Sequence, residues 1–427
     1  MQGNLLSAIL ALLFYLTSGM FGGHSNVNSN LPPSPVSSVQ SIYPRAGTIN
    51  SIQANLRSQP ATNGPVVATL AKGKRVVILD ASNNWYRVET DTAQKGWLAK
   101  WTVTVNATTA SAYRKVIAGY YVENYHNDPV SYQSLSNNLG AINMMIPFAF
   151  SVDQYGSVSS ALNHKPMNLA KSSGAQTLAL VNNIKGGNFN SNAIHRMLTN
   201  PSARSRAVNA ICRILIEKGF QGVNIDFENV PSRDQIYVTA FFRELAMALH
   251  SRNLLVTASL PAKTYDDNRS SHSGAFNYKA LSPYLDFVVL MTYDEHYSGG
   301  PAGPVASYPW VEKVVKYARQ SFSPNKIVLG LAAYGYDWSW SSGKALHYRA
   351  IQKLITSKKI TPKWSSQYKV PYFSYKTWGM SHQVWYEDRF SIAAKMQLVR
   401  NYGLRGVAVW RLGYEDPGIW QVIQQGF

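Results

Sequence analysis

Residues 113–427 alternate between two patterns of apolar positions. Short, almost continuous apolar runs, typical of strands covered on both faces, lie at 115–121, 142–150, 177–182, 222–228, 254–260, 287–293, 327–333 and 406–410. Stretches between them, such as 205–218, 235–252 and 310–320, repeat their apolar positions at helical spacing. Eight strands alternating with helices predict an α/β fold, a (β/α)8 TIM barrel over residues 113–427.

One interval, 339–404, is too long for a simple strand–helix unit of this barrel. It contains two β-rich stretches, 371–375 and 383–386. We therefore expect a small insertion before the last strand. Because catalytic residues of such barrels lie at the C-terminal ends of the strands, we expect the insertion to form a wall of the cleft there.

Residues 43–106 carry a different pattern, of short β-rich runs separated by turns. The runs are 66–70, 75–79, 85–88 and 96–98, with the turn sequences Asn63-Gly64 and Lys72-Gly73 between them. This pattern predicts a small all-β barrel. The segment contains eight Lys and Arg against three Asp and Glu, so it is positively charged.

An apolar run at residues 5–21 precedes the small domain, followed by small residues at 22, 23 and 25. Its length is typical of a signal peptide or a short membrane span. Residues 1–4 contain no Lys or Arg, so a cleaved signal peptide over 1–24 and an uncleaved anchor both stay open. Residues 25–42, rich in Asn, Ser and Pro, predict a flexible linker. We expect a secreted protein.

The charge of the chain narrows the choice of partner. Its 427 residues include 41 Lys and Arg against 22 Asp and Glu, a net charge of +19 that favours a polyanionic partner or surface. No basic run or recognition motif is found, so we expect no nucleic-acid partner. The anionic polymers of a bacterial wall fit the charge. The sequence leaves the oligomeric state open.

The single cysteine, Cys212, lies in the helical stretch 205–218. We expect a small buried apolar side chain there, and no disulfide can form within the chain.

The segment 220–228 carries the strongest sign of chemistry. Side chains alternate along a strand, so Asn224, Asp226 and Glu228 share one face. Two carboxylates on an otherwise apolar strand cost free energy unless they are paired or hydrogen-bonded. Acid–base catalysis needs a proton donor beside a fixed carboxylate, which would explain the arrangement. The alternative is a polar strand end whose carboxylates cap loops.

Three motifs together resemble glycoside hydrolase family 18, the chitinase-like barrels. That family's fourth strand carries Asp-x-x-Asp-x-Asp-x-Glu, and the sequence here matches the last two positions, Asp226 and Glu228. The first two positions are Gln221 and Asn224. The family's sixth strand ends in Met-x-Tyr-Asp, matched by residues 291–294, and its eighth strand ends in a tryptophan, matched by Trp410.

The small domain resembles the bacterial SH3-like domain, through residues 54–60, 70–73, 84–88 and 95–98. Such domains commonly attach secreted enzymes to the cell wall, although a spacer without a ligand is the alternative. The combination with Asn-Ile-Asp-Phe-Glu-Asn at 224–229 looks like the branch of spore-cortex and cell-wall lytic enzymes. The resemblance implies a polysaccharide substrate cut at N-acetylglucosamine in peptidoglycan or cortex, and a cell-wall or spore-associated location.

The resemblance also implies substrate-assisted hydrolysis with retention of the β anomer. Glu228 would protonate the leaving oxygen, and the 2-acetamido oxygen of the substrate would attack the anomeric carbon, giving an oxazolinium ion. Asp226 would hold the acetamido N–H, and Tyr293 would donate a hydrogen bond to the acetamido oxygen. Glu228 would then activate water. No metal or cofactor is required, and we take His296 as a cleft or surface residue.

Other substrate-binding residues are expected at strand ends. Asp294 would bind sugar hydroxyls, and Trp410 would stack under the reacting ring; the alternatives are a loop-capping acid and a core aromatic. Further candidates for the cleft are Tyr120, Tyr121, Glu123, Asn182 and Trp338.

Asn224, also assigned to substrate binding, replaces a carboxylate of the family pattern. An amide can hydrogen-bond Asp226 but cannot share a proton with it. We therefore expect Asp226 to stay ionised, Glu228 to have a less elevated pKa than with the full motif, and the pH optimum to be mildly acidic. Two other functions stay open: a chitinase, and a non-catalytic lectin on the same barrel.

Overall fold

The computed structural model describes residues 45–105, 115–339 and 342–427. The predicted signal or anchor at 1–24 and the linker at 25–42 lie outside these ranges. Within them, no helix is both long enough and apolar enough to span a membrane.

The N-terminal part is a small antiparallel sheet. Its strands are β1 (Arg45–Ile49), β2 (Gln53–Arg57), β3 (Val66–Ala71), β4 (Arg75–Ser82), β5 (Trp85–Thr90), β6 (Lys95–Ala99) and β7 (Val103–Val105). They pair in the order β3-β2-β6-β5-β4-β1-β7. Leu56, Ile78, Val88 and Leu98 are fully buried between them. No residue larger than glycine fits at position 96, because a Cβ there would lie 2.7 Å from the Leu56 side chain. The predicted small all-β domain is confirmed.

The large domain contains the remaining strands and the helices. The strands are β8 (Val116–Tyr121), β9 (Met144–Val152), β10 (Val158–Ser160), β11 (Gln176–Asn182), β12 (Ile184–Lys185), β13 (Asn188–Phe189), β14 (Gly222–Asp226), β15 (Leu255–Pro261), β16 (Phe287–Met291), β17 (Ile327–Ala332), β18 (Tyr334–Ser339), β19 (Ser342–His347), β20 (Lys363–Ser365), β21 (Val370–Thr377), β22 (Met380–Tyr386) and β23 (Gly406–Trp410). The helices are α1 (Pro129–Asn137), α2 (His164–Ser172), α3 (Ser191–Thr199), α4 (Pro201–Lys218), α5 (Gln235–His250), α6 (Tyr278–Leu281), α7 (Tyr308–Ala318), α8 (Tyr348–Lys358), α9 (Arg389–Asn401) and α10 (Ile419–Gln425).

Eight parallel strands close into a barrel. Their order is β9-β11-β14-β15-β16-β17-β23-β8, and pairing of β8 with β9 completes the ring. Alternate residues face opposite sides: Phe287 and Val289 of β16 fill the interior, while Val288 and Leu290 pack under the helices. The predicted TIM barrel is confirmed. Cys212 of α4 is buried in the outer layer as a free thiol.

The insertion is a five-stranded antiparallel sheet, in the order β19-β18-β22-β21-β20. Ile351 of α8 packs with Phe373 and Val384 on one face of the sheet. The sheet begins at Tyr334 and ends at Tyr386, whereas the sequence predicted an insertion over 339–404. Only residue 333 separates β17 from β18, so the two strands look like one apolar run. Helix α9, which follows the sheet, packs beside α7 and α10 on the barrel.

The small domain packs against α5 and the loop before β16. Glu89 of β5 is only 3% exposed, and its Oε2 accepts a hydrogen bond of 2.6 Å from the Tyr284 hydroxyl. Arg243 of α5 lies 3.6 Å from Glu89 Oε1. Val77 of β4 belongs to the same buried cluster as the outer layer of the barrel. A buried ion pair and an apolar contact thus join the two domains.

Candidate active site

A cavity opens at the C-terminal ends of the barrel strands. Six of the residues predicted for the site line it: Tyr120, Asp226, Glu228, Tyr293, Asp294 and Trp410. Tyr120, Asp226 and Trp410 lie on β8, β14 and β23, respectively. Glu228 follows β14, and Tyr293 and Asp294 follow β16. Parallel strands end at the same edge of the barrel, so residues far apart in the sequence meet there.

The two carboxyl groups of the cavity have strongly shifted acidities. Asp226 ends β14 and is 5% exposed, whereas Glu228 is half-buried. Burial raises the pKa of Asp226 to about 7, outweighing the opposite effect of the Ser259 hydroxyl. Burial and the charges of Asp226 and Asp294 raise the pKa of Glu228 well above its ordinary value. A carboxyl group with a pKa of about 7 is only partly ionised at neutral pH, so the expectation that Asp226 stays ionised holds only above that pH.

Asn224 supports the cavity from below instead of lining it. Its Oδ1 accepts a hydrogen bond of 2.8 Å from Ser259 Oγ, and its Nδ2 donates to Thr257 Oγ1 at 3.1 Å. Ser259 has one proton, so the Tyr120 hydroxyl, 2.8 Å away, donates to Ser259. The expected contact of Asn224 with substrate is thus corrected: this fully buried amide reaches the site through Ser259.

The backbone of Glu228 is held on both sides by one side chain. Asn183, which is 1% exposed and follows β11, donates from Nδ2 to the Glu228 carbonyl at 2.9 Å. Its Oδ1 accepts from the Glu228 N–H, also at 2.9 Å. Glu228 lies beyond the last paired residue of β14, so this amide replaces the missing strand partner.

Tyrosines of the inserted sheet fix Asp294. This residue has a left-handed backbone (φ 60°), uncommon for a residue other than glycine. Its Oδ1 accepts hydrogen bonds from Tyr334 (2.6 Å) and Tyr336 (2.9 Å). Burial raises the pKa of Asp294, again against the effect of these hydrogen bonds. Both tyrosines also line the cavity, so the insertion forms part of its wall.

Aromatic rings form one side of the cavity. Trp410 packs edge-on against Tyr120, with ring centroids 5.4 Å apart, and against Phe148 at 5.6 Å. Its indole is partly exposed to the cavity. A flat apolar surface of this kind suits the face of a sugar ring.

Four other candidates lie outside this cavity. Trp338 packs against Tyr336 and lines a separate shallow pocket on the inserted sheet. The Tyr121 hydroxyl donates to Glu123, and Asn182 accepts a hydrogen bond from Ser151. None of the four residues lines the cavity around Glu228. His296 lies on an exposed loop, with Nδ1 3.1 Å from the Pro301 carbonyl oxygen.

Several cavity residues were not foreseen from the sequence. Ser259 could have been found, because it sits near the end of β15 as Asp226 does on β14. Tyr334, Tyr336 and Arg411 also line the cavity. No sequence motif marked the two tyrosines, since their position in the cavity depends on how the inserted sheet packs against the barrel.

An acidic pair at the mouth of an eight-stranded barrel is an arrangement that glycosidases use. The profile of glycosyl hydrolases family 18 matches residues 96–415, and the chain belongs to this family. It is therefore a glycosidase. The profile of the bacterial SH3 domain matches residues 52–104, which accounts for the small domain.

Proteins named for different activities resemble the chain. The uncharacterized glycosylase YvbX of Bacillus subtilis is 29% identical over 72% of this chain and 92% of its own length. The spore cortex-lytic enzyme SleL of Bacillus megaterium superposes with a TM-score of 0.69 at 27% identity, over 86% of this chain and 80% of that one. The chitinase of Chromobacterium violaceum also superposes with a TM-score of 0.69, at 28% identity, over 73% of this chain and 99% of that one.

Proposed function

We propose that this glycosidase cleaves β-1,4 bonds at N-acetylglucosamine in bacterial peptidoglycan or spore cortex, by substrate-assisted catalysis with retention. The observation that carries the proposal is the common cavity of Asp226, Glu228 and Tyr293 beside the indole of Trp410. It offers a proton donor, a group for the acetamido nitrogen, a donor for the acetamido oxygen and a surface for the ring.

In the proposed reaction, Glu228 gives its proton to the glycosidic oxygen as that bond breaks. Its raised pKa favours the protonated form that a general acid needs. The acetamido oxygen forms the new bond to the anomeric carbon, and the oxazolinium ion carries the positive charge. Asp226, in its ionised form, accepts the acetamido N–H hydrogen bond and stabilises that charge, while Tyr293 orients the oxygen. Glu228 then removes a proton from the water that opens the ring.

The small domain supports a wall substrate. Trp101 is 64% exposed, and its ring centroid lies 6.2 Å from that of Trp85. Lys100 lies over the neighbouring Tyr86 ring, with Nζ 5.4 Å from the centroid. Trp101 is the most exposed of these rings, and an exposed large aromatic side chain can anchor a binding surface. We infer that this patch around Trp101 binds the wall, and that the apolar run at 5–21 directs the protein out of the cell.

A chitinase is the second candidate, supported by the similarity to the Chromobacterium enzyme across nearly all of that chain. Purified spore cortex, vegetative peptidoglycan and chitin, digested in parallel and analysed by mass spectrometry, separate the two. We expect new reducing ends at N-acetylglucosamine from cortex or peptidoglycan.

These products should disappear in Glu228→Gln and persist in Glu217→Gln, an exposed control on α4. Cleavage of chitin alone would establish the second candidate. Binding without cleavage of any polymer would instead favour a lectin.

A further inference from the structure

Among the described residues, one buried cation differs from the others because it forms no ion pair. Four Lys and Arg residues are less than 9% exposed: Arg204, Lys263, Lys395 and Arg411. The first three form ion pairs with Glu244, Asp266 and Glu387, at 2.7 to 2.9 Å. Arg411, which is 4% exposed, forms none within the described ranges. All Asp and Glu of the chain lie in those ranges, so no other carboxylate is available.

Arg411 lines the catalytic cavity, and one nitrogen of its guanidinium group has no hydrogen-bond partner among the described residues. Its Nη2 donates to Asn124 Oδ1 at 2.9 Å, and its plane lies over the Tyr414 ring, 4.1 Å from the centroid. Nε is buried without a hydrogen-bond partner among the described residues. Asp128 acts on Arg411 through space, but its two oxygens accept the N–H groups of Asn124 and Val130.

An arginine stays charged in a protein, and a buried charge without a counter-charge is costly. The cost is offset if a ligand supplies the anion. Planar guanidinium groups match carboxylates especially well, through two parallel hydrogen bonds. Because Arg411 lines the cavity, we expect the substrate to carry a carboxylate.

The strand order of the barrel indicates which part of the glycan lies near Arg411. β14 and β23 stand four strands apart in a ring of eight, so they lie on opposite sides of the barrel. Glu228 follows β14 and, as the acid, defines the side of the leaving group. Arg411 directly follows β23 and therefore lies across the barrel from Glu228. This position fits the sugar unit on the non-reducing side, away from the leaving group.

We propose that Arg411 binds a carboxylate carried by the sugar on the non-reducing side of the reacting N-acetylglucosamine. Such a group is the lactyl carboxylate of a muramic acid unit, or the terminal carboxylate of an amino acid attached to it. Arg411 is then a specificity residue that favours anionic wall glycans over neutral chitin oligomers. This inference rests on the proposed function.

Synthetic disaccharides with a nitrophenol leaving group test it. In the first pair, muramyl-N-acetylglucosamine carries its lactyl group as the free carboxylate or as the carboxamide. In the second pair, the lactyl group carries alanine with a free or amidated carboxyl, which separates the two positions of the charge. N,N′-diacetylchitobioside serves as the neutral reference. For the full protein, we expect kcat/KM to be about tenfold or more higher for the carboxylate of at least one pair.

The ratio of kcat/KM for the carboxylate to kcat/KM for its neutral partner should fall toward one in Arg411→Gln and be partly retained in Arg411→Lys. It should stay unchanged in Arg213→Gln, which removes an exposed cation of α4. The wild-type comparison does not depend on the variants folding. Equal rates for the charged and neutral members of both pairs would overturn the role of Arg411 and leave the proposed function standing. No cleavage of any of the five compounds would overturn the proposed function and this inference together.

Discussion

At the residue scale, the site is governed by the burial of its acids. Asp226, Glu228 and Asp294 all have raised pKa values, with desolvation as the largest cause. The Ser259 hydroxyl near Asp226 and the hydrogen bonds from two tyrosines to Asp294 only partly oppose it. Such a site favours proton donation at a pH where ordinary carboxyl groups are ionised.

This burial has a cost in stability that depends on pH. The folded pKa of Asp226 is about 7, against an ordinary 3.8, so the folded protein binds this proton more tightly than the unfolded chain. The stabilising contribution is complete below about pH 4 and is lost as pH rises toward 7. We expect Asp226→Asn to melt higher than wild type at pH 8, and the difference to shrink at pH 5.

Thermal denaturation at the two pH values measures the effect. Asp80→Asn, a change to an exposed carboxylate of the small domain, is the control and should show no such dependence. A variant that melts lower than wild type at pH 8 would contradict the burial cost.

Asn183 should act on the reaction through Glu228. Removing its amide frees both backbone groups of Glu228, and a displacement of about 1 Å can lower a rate by roughly 100-fold. We expect Asn183→Ala to reduce kcat by about 10- to 100-fold with little change in KM. Asn183→Asp, which loses the donor to the carbonyl, should also be impaired.

Steady-state kinetics on a soluble chromogenic substrate decide this. Asn188→Ala, an exposed amide on the nearby β13, should behave as wild type. An effect of Asn183→Ala confined to KM would mean that the amide does not position the acid.

At the element scale, the eight barrel strands could be predicted to within two residues at each end. Strands covered on both faces are apolar throughout, and β23 was predicted with its exact bounds. The insertion was harder, because β18 continues the apolar run of β17 after a single residue. Asp226 and Glu228 were visible as acids on an apolar strand. Arg411 and Asn183 were not, because their roles depend on contacts between distant segments.

The aromatic patch of the small domain should bind the wall. Trp101→Ala removes its most exposed ring, and such anchors contribute on the order of 1–2 kcal/mol to binding. We expect about tenfold weaker sedimentation with purified walls and unchanged turnover of a soluble substrate. The matched control is Ile52→Ala, which removes a side chain that is 83% exposed. Equal sedimentation of both variants would refute the assignment.

At the scale of the whole molecule, the domains are joined by the buried Glu89. Tyr284→Phe removes its hydrogen bond and leaves the carboxylate buried, at a cost of about 1–3 kcal/mol. We expect a lower melting temperature, by roughly 2–4 °C for each kcal/mol. Tyr125→Phe, which changes a tyrosine that is 64% exposed, is the calorimetric control. An unchanged melting temperature would show that the interface does not depend on Glu89.

The most direct test of the proposed retaining mechanism is the anomer formed first. Proton NMR during the first minutes of hydrolysis of a soluble N-acetylglucosamine oligomer distinguishes the two anomers before they equilibrate. Attack by the acetamido oxygen inverts the anomeric carbon once and water inverts it again, so we predict the β anomer. Initial release of the α anomer would contradict the proposed mechanism.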